Sequence, residues 1–61
     1  MSRDRMRELE GEIRALYVKR RPVTRSLRMQ ADPDKSAELQ YLDEQIDVRE
    51  LEYDRLRKNG A

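Results

Sequence analysis

Apolar side chains recur through the first half of the chain at alternating intervals of three and four residues: Met6, Leu9, Ile13, Leu16, Val23 and Leu27, with Arg20 the one charged member of the series. This is the a/d pattern of a helix packed along one seam. Leu39, Leu42, Ile46, Arg49, Tyr53 and Leu56 repeat it in the second half. Between the two runs lies Ala31-Asp32-Pro33-Asp34. Asp32 suits an N-cap because its carboxylate accepts the free backbone N–H groups of the next turn, and Pro33 suits the first helical position, where no N–H is needed. The residue before a proline avoids helical dihedrals, so the first helix should stop by about Ala31.

The pattern predicts an all-α antiparallel two-helix hairpin forming a single domain over residues 1–61. One helix spans about 3–30, the turn about 31–33 and the second helix about 33–58, each helix roughly 40 Å long at 1.5 Å per residue. Ser2 is the expected N-cap of the first helix, Asp4 favours its positive dipole end, and Asn59-Gly60 is the expected left-handed stop of the second, after Arg55, Arg57 and Lys58. Pro22 removes a backbone hydrogen bond and clashes with the preceding turn, at about 3 kcal/mol inside a helix. The heptad register passes through it unbroken, which predicts a continuous helix kinked near Arg21-Pro22; a break followed by a short second helix is the alternative. Counting outward from the turn sets Val23 near Leu39, Leu16 near Ile46, Leu9 near Tyr53 and Met6 near Leu56. Arg49 then falls beside Ile13, within reach of Glu10 or Glu12.

Each helix carries a second stripe away from the seam. At 100° per residue Gly11, Ala15, Val18, Pro22 and Met29 cluster on the far side of the first helix, and Ala37, Tyr41, Val48 and Leu51 on the second. Gly11 is unfavourable by about 1 kcal/mol relative to alanine in a helix interior, and four residues before Ala15 it permits close approach of another backbone. A chain this short hides only about 60% of the surface its unfolded form exposes. With no cysteine or histidine, neither disulfides nor the usual zinc ligands add stability. Self-association is the remaining route, and a homodimer forming a four-helix bundle is the expected outcome, with a docked protein partner as the other use of the same residues.

Charged residues make up 44% of the chain, with a net charge of +1. That small sum conceals a division: residues 1–31 hold nine Arg/Lys and four Asp/Glu, net +5, while residues 32–61 hold five and nine, net −4. The halves attract one another. No acidic residue lies between Ile13 and Ala31, so Lys19, Arg20, Arg21, Arg25 and Arg28 should form a positive patch near the turn. Two uses remain open for it: internal pairing with Glu38, Asp43, Glu44 and Asp47, or an external anion such as nucleic-acid phosphate. Tyr17 is nearby, but Tyr41 and Tyr53 read as packing residues, so a base-stacking platform is not indicated.

Little here supports catalysis. Ser2, Thr24, Ser26 and Ser36 lack a recognisable base or elbow motif, and the only glycines, Gly11 and Gly60, form no phosphate loop. Asp43, Glu44, Asp47 and Glu50 follow the spacing of a solvated helix face, and Asp32-Pro33-Asp34 lacks the later ligands of a calcium loop. No catalytic residues, cofactors or metals are expected. No apolar run approaches the roughly 20 residues of a membrane span, and Met1 is followed by charges rather than a secretion signal's apolar core, so a cytoplasmic setting without membrane contact is expected.

The plan of 61 residues folded at their midpoint resembles the plasmid copy-control hairpins, which dimerise into a four-helix bundle and bind RNA through their first helices; no motif is shared, so the resemblance is one of architecture. Leu42 to Tyr53, with Leu56 and Lys58, is similar to the second helix of the small phycobilisome-degradation hairpins, whose first half this basic one does not match. Leu9 to Val23, with Glu12-Ile13 and Arg20-Arg21, is similar to the first helix of all-α chorismate mutases, a three-helix family for which this chain is too short. None of these amounts to an identification. The sequence therefore points to a non-enzymatic interaction module: an adaptor, assembly factor or regulator that presents a helical face to a protein, with Gly11, Ala15, Val18, Met29, Ala37, Tyr41, Val48 and Leu51 as its contacts. A nucleic-acid-binding regulatory hairpin using the basic patch is the alternative.

Overall fold

In the computed structural model, which describes the backbone of residues 2–60 and the side chains of residues 3–59, two α-helices pack against each other as a hairpin. Helix α1 is Ser2–Met29 and helix α2 is Pro33–Gly60, each of 28 residues. The folded chain is 44 Å long and 14 Å across. That length is close to 28 residues of helix rise, so the helices lie side by side for their whole extent.

The turn is built as its residue types dictate. Gln30 N–H donates to the Ser26 carbonyl at 3.0 Å, closing the last turn of α1, and Ser36 N–H donates to the Asp32 carbonyl at 2.9 Å, opening α2. The Asp32 carboxylate accepts the Asp34 N–H at 3.0 Å and, more weakly, the Lys35 N–H at 3.5 Å. Pro33 occupies the first helical position, where its missing N–H removes nothing. Lys35 then reaches back over the turn, its Nζ donating to Ser26 Oγ at 2.7 Å.

The two heptad runs meet along one seam. Leu9, Val23, Leu42 and Ile46 are buried, with Leu9 wholly inaccessible, and Met6, Ile13, Leu16, Leu27, Leu39, Tyr53 and Leu56 are half-buried around them. A two-helix unit can bury only one stripe of each partner, so among the described residues these four form the closed core. Arg20 and Arg49, the charged members of the seam, are half-buried. Both carry their guanidinium groups to carboxylates on the other helix, Arg20 to Asp43 and Arg49 to Glu12.

Pro22 neither ends nor interrupts α1, so the break followed by a short second helix does not occur. The proline lies on the exposed face, opposite the seam, where the Val18 carbonyl it deprives of a donor is on the water side. Two residues later the Thr24 hydroxyl donates to the Arg20 carbonyl at 2.9 Å. At the far end, α2 runs through Asn59 to Gly60, and no described residue has a left-handed φ. The expected left-handed stop at Asn59-Gly60 is therefore absent. Right-handed helical geometry instead carries α2 through both residues. The Ser2 side chain, the expected N-cap, lies outside the described residues. Among the described residues no helix is long and apolar enough to cross a membrane.

Candidate functional site

The hairpin has two flanks, where side chains of the helices meet beside the seam, and two outer edges, where each helix faces away from its partner. One flank is an internally satisfied polar network. Arg5 grips Glu52 with two parallel hydrogen bonds, Nε to Oε2 at 2.7 Å and Nη2 to Oε1 at 3.0 Å, and also meets Glu8 at 3.2 Å and Glu12 at 3.6 Å. The other carboxylate oxygen of Glu12 accepts from Arg49 Nε at 2.8 Å, and Arg49 Nη1 donates to the carbonyl and side-chain oxygens of Gln45 at 3.0 and 2.8 Å. Of the two acids within reach of Arg49, the structure selects Glu12. The Glu52 carboxyl is held below the ordinary carboxylate range, chiefly by its hydrogen bond from Arg5, and the Arg5 guanidinium is correspondingly raised by Glu52 and then Glu8. These groups stitch the helices together and leave little unsatisfied for a ligand.

The opposite flank is an open groove between the helices, lined by Glu10, Ile13, Tyr17, Glu50, Tyr53 and Asp54, with Arg14 at its edge. The Tyr53 hydroxyl donates to Glu10 at 2.8 Å and the Tyr17 hydroxyl to Glu50 at 3.3 Å. Both phenols are pushed above their ordinary value, Tyr53 mainly by its hydrogen bond to Glu10 and Tyr17 mainly by the negative charge of Glu50. Tyr53, expected only as a packing residue, thus has two roles: its ring fills the seam and its hydroxyl crosses to α1. Among the described residues no group of three or more histidine, cysteine or acidic side chains is placed to hold a metal ion.

Of the five basic residues near the turn, four border one shallow concavity. Arg20 is drawn into the seam, its Nε donating to Asp43 Oδ1 at 2.7 Å. Arg21, Arg25 and Arg28 share a shallow concavity with Arg20 and Thr24, while Lys19 projects toward the other flank by its helical angle. Among the described residues, Arg21, Arg25, Arg28 and Lys19 make no ion pair. Arg21 and Arg28 also belong to a longer row that the sequence spacing carries. Arg7, Arg14, Arg21 and Arg28 recur every seven residues, all exposed, at about 10.5 Å intervals along α1. Beside them on α2, Asp43, Asp47, Glu50 and Asp54 form an acidic row at helical spacing.

The second apolar stripes lie on the outer edges. Gly11, Ala15, Val18 and Met29 are exposed along α1, and Ala37, Tyr41, Val48 and Leu51 along α2. Val18, Tyr41 and Val48 are each 60% accessible, Leu51 65% and Met29 84%. Because the seams of α1 and α2 point toward each other, stripes opposite those seams point apart. The two stripes, one on each helix, therefore lie on opposite edges of the hairpin. The chain matches no protein-family model, no curated protein and no solved structure. Its geometry is that of an exposed double-edged ribbon, with apolar edges, one tyrosine-lined groove and a row of free arginines.

Proposed function

We propose that the protein is a small, non-enzymatic protein–protein interaction module, an adaptor, assembly factor or regulator working in the cytoplasm through an outer helix face. The observation that carries this reading is the edge of α2, where Tyr41, Val48 and Leu51 each leave 60% or more of their surface in water. Isolated exposed apolar residues are ordinary. These three, with Ala37, are aligned at helical spacing along one face, the arrangement that a second amphipathic helix covers. Association of two hairpins, bringing four helices together, belongs to the same reading, since a core with only four buried residues among those described gains most from added contact.

A photo-crosslinking residue installed at Leu51, and at Asp34 as an exposed control, tests this in the producing cell. Adducts confined to the Leu51 position, to a second copy or to another protein, are expected. Equal labelling at both positions, or a monomer with no adduct at Leu51, would overturn the reading. A second reading is favoured by one observation, the free guanidinium groups of Arg21, Arg25 and Arg28: a regulatory hairpin that binds nucleic-acid phosphates through α1.

A further inference from the structure

The outer edge of α1 is a heptad in its own right: Gly11, Ala15, Val18, Pro22, Arg25 and Met29 follow spacings of four and three. So do Ala37, Tyr41, Glu44, Val48, Leu51 and Arg55 on the outer edge of α2. All twelve residues are exposed, so each helix carries two complete seams of which the hairpin uses one. We propose that the second seams use each other: the outer edge of α1 in one copy packs antiparallel on the outer edge of α2 in a second copy. This rests on the interaction-module reading above and names its partner as another copy of the same chain.

Side-chain size and charge both select that pairing. Aligning Val18 of one copy with Val48 of the next, antiparallel, sets Ala15 against Leu51 and Met29 against Ala37, a small residue facing a large one in each case. Interdigitation of that kind is what close helix packing requires. It also gives Gly11 a purpose. In the single chain a Cβ added at Gly11 would meet nothing within 4 Å, so the hairpin itself gives no reason for a glycine that weakens the helix. In the paired copies Gly11 faces the long side chain of Arg55.

Charge then rejects the alternatives. The half containing α1 is net +5 and the half containing α2 is net −4, so α1 on α1 or α2 on α2 opposes like charges, whereas α1 on α2 opposes unlike ones. The same alignment brings Arg14 near Asp54 and Arg21 near Asp47 beside the apolar contact. Among the described residues none of these four makes an ion pair within its own chain. Such a contact joins two different patches, so each pair of copies retains one free edge of each kind, and growth continues until a ring closes or the edges are capped.

Two substitutions at exposed positions test the arrangement: Val18→Glu, which sets a negative charge against the acidic edge, and Val48→Lys, which sets a positive charge against the basic edge. Solution mass is measured by light scattering at low salt, with helix content followed by circular dichroism. The unaltered chain should gain mass with concentration. Each variant alone should stay near the 7.4 kDa of one chain, and an equal mixture should recover at least twice that mass, because each variant supplies the edge the other lacks. A contact between identical edges predicts a different result: one variant still associates alone and mixing adds nothing. That outcome, or an unaltered chain that stays monomeric at every concentration, overturns the proposal. If the monomer still forms a Leu51 adduct with a foreign protein, the module reading survives and only the second copy is lost.

Discussion

Arg5 and Glu52 join the first turns of α1 to the last turns of α2 through two hydrogen bonds, at 2.7 and 3.0 Å, in the planar fork-to-carboxylate arrangement. The contact lies at the open end of the hairpin, far from the turn, where the covalent connection restrains the helices least. Its pH dependence has a definite sign. The folded Glu52 carboxyl is lowered from its ordinary 4.5, so its contribution to stability is complete above that value and is lost as pH falls through the folded value. Glu52→Gln should therefore melt at a lower temperature than the unaltered chain at neutral pH, and the difference should shrink on acidification through and below the ordinary carboxylate range. A gap in melting temperature that stays constant over that range would show that the charge of Glu52 contributes nothing.

The tyrosines give the opposite limit. Tyr17 and Tyr53 are both raised above 10.0 in the folded chain because their neutral hydroxyls face Glu50 and Glu10. Their contribution is present below pH 10 and is lost as pH rises through the folded values. Ultraviolet titration of the phenolates should show these two tyrosines ionising later than they do in the urea-unfolded chain. Tyr53→Phe removes the 2.8 Å bond to Glu10 while keeping the ring in the seam, and should abolish the late phase assigned to Tyr53.

Pro22 offers a test of the helix itself. It is exposed and lies opposite the seam, so alanine there removes no core contact and restores the donor that the Val18 carbonyl lacks. An interior proline costs about 3 kcal/mol, partly offset by the freedom it removes from the unfolded chain, so Pro22→Ala should stabilise the hairpin by about 2 kcal/mol. For a domain of this size that is a rise of about 10 °C in melting temperature. An unchanged or lower melting temperature would mean that the proline's geometry is needed where it stands.

What the sequence made legible follows from how local each signal is. The seam was readable because a heptad is a property of one helix at a time, and Leu9, Val23, Leu42 and Ile46 are buried where that periodicity puts them. The Asp32 cap was readable because an N-cap involves only its next two or three residues. Arg49 could be placed beside two acids but not assigned to one: Glu10 and Glu12 fall on different flanks, and only the rotation of α1 against α2 gives Glu12 to Arg49 and Glu10 to Tyr53. Arg5 with Glu52 was missed for the same reason, since neither belongs to a heptad seam. The arginine row could have been found, because Arg7, Arg14, Arg21 and Arg28 are seven apart. Only Arg21 and Arg28 of that row lie in the cluster near the turn, and Lys19, close to Arg21 in sequence, lies on another side of α1 by helical geometry.

That row also decides how the nucleic-acid reading is to be tested. Four guanidinium groups about 10.5 Å apart along one helix offer phosphates regularly spaced point contacts, but Asp47, Glu50 and Asp54 run beside them and repel a polyanion that spreads onto α2. Binding confined to α1 would release few counterions, so the affinity for RNA or duplex DNA should fall with salt, with a logarithmic slope of about −2 to −4. Arg21→Glu with Arg25→Glu should weaken binding alike for every sequence, because the contact is to phosphate rather than base edges. Replacing Asp47 and Asp54 with asparagine should strengthen it by easing the repulsion. Fluorescence anisotropy of labelled RNA and DNA at low and high salt measures both effects. Affinity that ignores the arginine reversals would remove nucleic acid as a partner of this face and leave the free arginines to the acidic edge of another chain.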